Sequence, residues 1–139
     1  MLPTVNIGKL QVTRLILGGN PFSGFSHQSA ARDGQMLDYY TVARIKETFQ
    51  RAEAAGINTV ILRLDDFILR LMREYRNEGG KLQWIAQVQM DPDGRWEPGF
   101  RRAVDAGAAA CYLHGKHLDD LHRAKDAGKL LRMMEGLGV

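Results

Sequence analysis

The chain contains too little cysteine for a disulfide-stabilised fold. Its single cysteine, Cys111, has no partner for an internal disulfide. Because Cys111 sits within a strand-like run, we expect it to be a buried structural thiol. A lone thiol of this kind is compatible with a reducing compartment, so the expected location is the cytoplasm.

Long apolar runs and runs of like charge are also missing. Apolar stretches such as residues 59–62 are far too short to cross a bilayer, and Lys9 and Arg14 interrupt the early apolar residues where a signal peptide needs a continuous core. The formal net charge of +3 comes from basic residues scattered among acidic ones. This pattern gives little support for nucleic-acid binding. We therefore expect neither a membrane nor a nucleic acid as a partner.

The chain instead contains short apolar runs, which alternate with segments whose apolar residues recur at helical spacing. Its 139 residues are 45% hydrophobic and 25% charged, which suits one globular domain. Two short alternating segments around Gly8 and Lys9 predict a small hairpin. Four apolar runs then predict strands that are apolar on both faces, at residues 14–20, 58–62, 82–88 and 109–113.

A helical pattern follows each predicted strand. The apolar stripes lie at residues 42–52, 67–75, 100–104 and 118–134. Thr41 is a candidate cap for the first, Gly56 closes it, and Gly128 is expected to interrupt the last. Residues 21–37 are expected to be a long loop. Strands that alternate with helices predict a parallel sheet with right-handed crossovers.

A sequence pattern that recurs within the chain marks the boundaries between the repeating βα units. Residues 51–57 and 102–108 are both helix ends closed by a glycine just before a strand. Residues 135–139 match residues 53–57 in type and spacing, so Val139 occupies the position just before a strand.

The predicted fold class is therefore α/β, with four βα units that form half of a (βα)₈ TIM barrel. The domain is expected to span residues 1–139, with the hairpin at 1–13 and a four-stranded parallel sheet within 14–139. A small doubly wound sheet is the alternative topology.

Three patches resemble the aldo-keto reductase family. Residues 8–19 (GKLQVTRLILGG) are similar to that family's N-terminal hairpin running into its first, glycine-ended strand. Residues 55–58 (AGIN) look like its approach to strand two. Residues 111–115 (CYLHG) resemble the end of its fourth strand, where the family places a catalytic histidine. The resemblance implies a barrel fold and assigns the catalytic position to His114.

The rest of the family's catalytic pattern is missing. The positions of its Asp and of the Tyr that protonates the carbonyl fall on Ile61 and Asp66, and the position of its Lys falls on Gln87 or Gln89. A lone His114 cannot replace a Tyr–Lys–Asp arrangement that tunes the acid. The family's contacts to the phosphates of its nicotinamide cofactor come largely from its second half. The resemblance thus implies kinship in fold without reductase activity, and no cofactor.

Polar residues at the carboxyl ends of the predicted strands form the candidate site, because barrels of this kind place their active sites there. The candidates are Asn20, Arg63, Gln87, Gln89 and His114. Because parallel strands deliver their carboxyl ends to one face, we expect Asn20, Arg63, Gln87 and His114 to converge in one pocket.

Arg63 and His114 have the most specific expected roles. The guanidinium of Arg63 suits a small anion, since it can hold a carboxylate or phosphate with two hydrogen bonds. The alternative is an internal salt bridge to one of three carboxylates, those of Asp65, Asp66 and Asp91. His114 is assigned as acid or base, and a structural histidine at the mouth is the alternative.

Two nearby segments carry further polar residues. Among residues 114–122, His117 and His122 have poor spacing for ligands on one helix, so no metal site is predicted. We expect a solvated helix start there, with Asp119 and Asp120 near its positive N-terminal end. Residues 20–28, with aromatic and hydroxyl side chains, are expected to form a lid or substrate wall, or a flap over the sheet.

Two hypotheses about function remain open, so the sequence does not decide whether the protein is an enzyme. One is a self-assembling half-barrel of unknown biochemical role, related in fold to the aldo-keto reductases. The other is a barrel-type enzyme for a small anionic substrate, with Arg63 binding and His114 transferring a proton. A homodimer is expected, since half a barrel exposes two strand edges and one uncovered face. The alternative for the non-catalytic half-barrel is that a longer parent protein covers them.

Overall fold

The N-terminal hairpin has the predicted form. The computed structural model describes residues 1–136, so the strand approach expected at Val139 lies outside the described residues. Strands β1 (Thr4–Ile7) and β2 (Leu10–Thr13) pair antiparallel. Gly8 makes the turn with φ of 57°, a conformation that glycine adopts without steric strain. The predicted hairpin is confirmed.

The main sheet has four parallel strands in chain order. They are β3 (Leu17–Gly18), β4 (Thr59–Arg63), β5 (Gln83–Val88) and β6 (Ala110–Leu113). Their order across the sheet is β3-β4-β5-β6, and every neighbouring pair is parallel. This confirms the α/β class with a four-stranded parallel sheet. Because the order does not reverse within the sheet, the topology matches half of a TIM barrel better than a doubly wound sheet.

Helices connect the strands. A short 3-10 helix, Asn20–Ser23, is followed by α1 (Ala30–Tyr39), α2 (Val42–Ala54), α3 (Asp66–Asn77), α4 (Glu97–Asp105), α5 (Gly115–Arg123) and α6 (Ala127–Gly136). The side chain of Thr41 accepts a hydrogen bond from the backbone of α2, as predicted for a cap. In the part of the chain that is described, none of the helices combines the length and apolar character required for crossing a bilayer.

The segment expected to be a loop at residues 21–37 is largely helical, so that prediction is wrong. The Ser29 side chain caps α1 by accepting a hydrogen bond from the backbone N–H of Arg32, at 3.2 Å. No side chain of α1 is fully buried. A helix that buries no stripe leaves no apolar periodicity in the sequence, which is why the pattern missed it.

The first predicted strand and the last predicted helix also differ from expectation. The strand is only Leu17–Gly18, and the Leu15 side chain is 57% exposed rather than buried. The final helical region is interrupted at Lys125, whose φ is 54°, and not at Gly128, which lies within α6. The predicted glycine at the end of α2 is confirmed, since Gly56 has φ of 86°.

The two faces of the sheet have different compositions, so the expectation of strands that are apolar on both faces is wrong. One face, here called the helix face, packs on the helices and buries almost completely Val60, Leu62, Trp84, Ala86, Val88 and Leu113. The opposite face, the cleft face, aligns Arg63 with Gln87 and Gln87 with Tyr112 in the register of the strands. Ile61 also pairs with Ile85 on the cleft face, so alternation along each strand separates an apolar helix face from a cleft face that mixes polar and apolar side chains.

The hairpin is tied to the amino ends of the central strands. The backbone N–H of Thr13 donates to Asn58 Oδ1 at 2.8 Å. Asn58 Nδ2 and Gln83 Nε2 both donate to the carbonyl of Gln11, at 3.1 and 2.9 Å. These bonds hold the hairpin against one end of the sheet and leave the polar carboxyl ends of the strands at the other.

Candidate functional site

A cleft lies at the carboxyl ends of the parallel strands. Its volume is about 580 Å³, and its walls come from all four strand ends and the segment that follows β3. The lining residues are Gly18, Gly19, Asn20, Pro21, Ser23, Phe25, His27, Ile61, Arg63, Gln87, Gln89, Tyr112, His114 and Lys116. The structure therefore brings together all five residues predicted for the site, and the convergence expected from parallel strands is observed.

Arg63 occupies the centre of this arrangement. It ends β4, opposite Gln87 of β5. Its guanidinium carbon lies 5.2 Å from the centroid of the Phe25 ring, so the aromatic face supports the cation. Within residues 1–136, Arg63 forms no ion pair.

The internal salt bridge considered for Arg63 is not formed, because each of the three carboxylates has another partner. Asp65 accepts a hydrogen bond of 2.8 Å from a backbone N–H in the first turn of α3, as its cap. Asp66 pairs with an arginine of α4. Asp91 pairs at 2.8 Å with the arginine four residues after it, and hydrogen bonds from that arginine hold the pKa of Asp91 below its usual value. Arg63 is left facing the cleft.

His114 caps α5 with its ring. Its Nδ1 accepts a hydrogen bond from the backbone N–H of Lys116 at 3.2 Å. Because an accepting nitrogen carries no proton, the neutral ring is protonated on Nε2. In this geometry His114 offers an N–H donor at the rim of the cleft, and it can take up a proton on Nδ1 only by releasing the cap.

Tyr112 is a cleft residue that the sequence reasoning missed. Gln87 Nε2 donates to its hydroxyl oxygen at 2.7 Å, which leaves the hydroxyl proton free to be donated elsewhere. A signal was present in the sequence. Tyr112 precedes His114 by two residues in a strand-like run, and that spacing places two side chains on the same face.

The side chain of Gln89 lies next to a second histidine, His117. His117 Nε2 accepts a hydrogen bond from the backbone N–H of Met90 at 3.2 Å, and it lies 3.0 Å from Gln89 Oε1, a second acceptor to which an accepting nitrogen cannot donate. Partial burial, followed by the charges of His114 and Lys116, lowers the pKa of His117. The lowered pKa favours the neutral form of His117, and the nitrogen that faces Gln89 is the one that accepts from Met90.

The charge of the cleft is positive. Its lining contains Arg63 and Lys116 but no aspartate or glutamate. Lys116 Nζ lies 2.8 Å from a carboxylate oxygen of Asp120, and that contact is the main cause of the lowered pKa of Asp120. Lys116 is paired with Asp120 of its own helix, whereas Arg63 has no acidic partner among residues 1–136.

The segment after β3 forms a wall of the cleft, one of the roles predicted for it. Pro21, Ser23, Phe25 and His27 all line the cavity. Asn20 Nδ2 lies 3.2 Å from His27 Nε2, a contact that links the two ends of this wall. The role of Phe25 beside Arg63 had no counterpart in the sequence pattern, because it depends on how the segment folds back over β4.

Two other expectations concern neighbouring residues. Asp119 and Asp120 lie in the middle of α5, whose first turn contains no acidic residue, so their predicted place at its start is wrong. Among the described residues, no three His, Cys, Asp or Glu side chains are grouped so that they could hold a metal ion. Cys111 is a free thiol that is half-buried rather than fully buried, and this burial raises its pKa.

Comparison of the chain with protein-family models, curated proteins and solved structures finds no match. The residues and geometry of the cleft are therefore the basis for assigning a function.

Proposed function

We propose that the protein binds a small anionic molecule, a carboxylate or a phosphate ester, in the cleft at the carboxyl end of its sheet. One observation carries the proposal. Arg63 projects into a cleft whose lining holds no carboxylate, and it has no acidic partner within residues 1–136. A half-buried guanidinium without a counter-ion is stabilised by an anion that supplies one.

Neighbouring groups suit the same ligand. Arg63 can hold two oxygens of a carboxylate or phosphate at once, and the Phe25 ring lies beside its guanidinium. Tyr112 and Asn20 add neutral hydrogen-bond donors from two other walls of the cleft. Charge-assisted hydrogen bonds are about twice as strong as neutral ones. We therefore expect Arg63 to supply affinity and the neutral donors to supply orientation.

A barrel-type enzyme that acts on the same anion is the second candidate, and the position of His114 supports it. Its Nε2–H is suited to stabilise negative charge that develops on a substrate oxygen. Removal of a substrate proton by Nδ1 requires the α5 cap to open first. His114 as the acid or base thus remains part of the proposal, with Nε2 as the nitrogen that acts without a change in the helix.

Kinship in fold with the aldo-keto reductases, without their reductase activity, is also part of the proposal. The four-stranded parallel sheet preceded by a hairpin supports the kinship. The loss of activity is supported by Asp66, which stands at the Tyr position and pairs with Arg102 of α4. Gln87, one of the two candidates for the Lys position, offers a neutral amide to Tyr112.

Anion binding is tested by titrating the protein with inorganic phosphate and with benzoate, followed by NMR chemical shifts. Arg63→Gln is expected to weaken binding of both by at least about tenfold, since it removes a charged hydrogen-bond donor. Arg73→Gln is the matched control, because it removes the same charge from an exposed position of α3. The proposal is wrong if neither anion binds saturably, or if the two variants lose affinity equally.

The role of His114 is tested with two substitutions. His114→Asn keeps an oxygen that can cap α5, whereas His114→Ala removes both the cap and the ring donor. We expect both to weaken benzoate binding by about threefold, and only His114→Ala to lower the melting temperature. Equal benzoate affinity in His114→Asn and the wild type would assign the histidine to structure alone.

A further inference from the structure

A second cleft adjoins the first on the far side of Arg63. Its volume is about 570 Å³, and it lies between the 3-10 helix, the end of α1, the start of α2 and the β4–α3 connection. Its lining is mainly aromatic and aliphatic: Phe22, Ser23, Phe25, Leu37, Tyr40, Thr41, Val42, Arg63, Asp65 and Phe67. It is thus a less polar space than the cleft over the strand ends.

The two clefts share one boundary. Ser23, Phe25 and Arg63 line both of them. Arg63 and Phe25 are the pair in contact at 5.2 Å, so the cation sits where the polar space meets the apolar one. A ligand held by Arg63 can therefore extend into the second cleft without leaving the guanidinium.

Several apolar side chains that line the second cleft are exposed to solvent. The exposed fractions are 54% for Leu37, 42% for Phe67, 40% for Phe25 and 39% for Val42. Four large apolar side chains from separate elements converge on one opening beside a cation. Exposed apolar groups gathered in this way mark a surface that binds something apolar.

The charged side chains of the two clefts indicate which end of a ligand would lie in which cleft. The second cleft contains one carboxylate, that of Asp65, which is fixed in place as the cap of α3. Its negative charge disfavours an anionic head in the second cleft. The first cleft has no carboxylate in its lining, so the head belongs there and the hydrocarbon part belongs beside Phe67 and Leu37.

We infer that the ligand is a monocarboxylate with an aryl or medium-chain alkyl tail, its carboxylate on Arg63 and its tail in the second cleft. This inference rests on the proposed anion binding and adds the class of molecule. It requires that affinity rise with the length of the tail, and that the two ends of the ligand depend on different residues.

The experiment compares acetate with 4-phenylbutyrate as probes, using NMR titration of the full chain. The wild type is expected to bind 4-phenylbutyrate at least about 50-fold more tightly than acetate, since each buried methylene contributes about fourfold. Phe67→Ala should weaken 4-phenylbutyrate by about fivefold and leave acetate unchanged. Val104→Ala is the control, because Val104 is 64% exposed and lies outside both clefts. Leu37→Ala tests a second wall of the same space.

The possible outcomes distinguish a failure of the tail-binding inference from a failure of the proposed anion binding. If acetate binds through Arg63 and the tail adds no affinity, the inference is overturned and anion binding stands. If neither probe binds, both fail. If 4-phenylbutyrate binds equally well to Arg63→Gln, the tail site exists without the head and the inference is overturned. Equal effects of Phe67→Ala and Val104→Ala would also overturn it.

Discussion

The two faces of one sheet contribute different things to this molecule: one forms the core and the other lines a cleft. Leu62 and Arg63 are neighbours in β4, yet Leu62 is 1% exposed within the core while Arg63 lines a cleft. The same alternation separates Val88 from Gln87 in β5. Because successive side chains point to opposite faces, a change of one position along these strands moves from a core residue to one that lines the cleft.

The contrast in burial explains why the two faces tolerate different chemistry. Trp84 on the helix face is fully buried, and its Nε1 donates to the carbonyl of Leu62 at 3.3 Å. Every polar group there must be satisfied internally. On the cleft face, water or a ligand can satisfy Tyr112, which is 37% exposed. Polar side chains without an internal partner are therefore tolerated on the cleft face, and they are where we place the function.

The largest effect is expected from a substitution on the helix face. Trp84→Ala should lower the free energy of unfolding by about 3–5 kcal/mol, because it leaves a cavity in the core. Gln87→Ala, three residues further along the same strand and on the cleft face, should cost less than about 1 kcal/mol. Urea denaturation followed by circular dichroism measures both. Similar losses for the two variants would show that the faces do not differ in this way.

Dimer formation would change the difference in burial between the two faces, since a second subunit can cover the cleft face. In the described sheet β3 pairs only with β4, and β6 only with β5, so each outer strand has one free edge. We predict a homodimer in which two sheets pair at these edges and enclose the clefts. Sedimentation velocity at micromolar concentration should give twice the mass of the chain. A monomer there contradicts the prediction.

A smaller effect is expected from pH, and it comes from His117 below the cleft. Its folded pKa is lowered from 6.5, so the unfolded chain binds this proton more readily. Stability is therefore full above about pH 6.5 and declines as the pH falls from there towards the folded pKa. The aspartates with lowered pKa values act only at more acidic pH.

Melting temperatures at pH 7.5 and 5.5 measure this contribution. His117→Gln should reduce the difference between the two temperatures, because glutamine does not titrate and its side-chain oxygen can still accept a bond from the Met90 backbone. His122→Gln is the control, since His122 is exposed at the end of α5. An unchanged difference in His117→Gln would place the pH dependence elsewhere.

The sequence predicted the helix face better than the clefts, and the reason is physical. Burial against helices leaves apolar runs and capping glycines, so β4, β5 and α2 were predicted to within a few residues. The strand ends were also predictable, because parallel strands place Arg63 and His114 at the same edge. The second cleft could not be predicted from the sequence. Its wall at Leu37 lies on α1, which has no fully buried side chain and so resembles a loop in sequence.

The last prediction is that one activity is absent. It tests whether the polar residues of the cleft face form a reductase site. We predict that the protein neither binds nor oxidises a nicotinamide cofactor. Tyr112 is the tyrosine in the cleft, and its hydroxyl oxygen accepts from the neutral amide of Gln87. An acid that protonates a carbonyl is tuned by its hydrogen-bond partner, and the partner of Tyr112 is a neutral amide. The measurement is cofactor absorbance during incubation with a simple aldehyde, beside a His114→Ala control. Oxidation above that control, abolished by Tyr112→Phe, would contradict the prediction and identify Tyr112 as the acid.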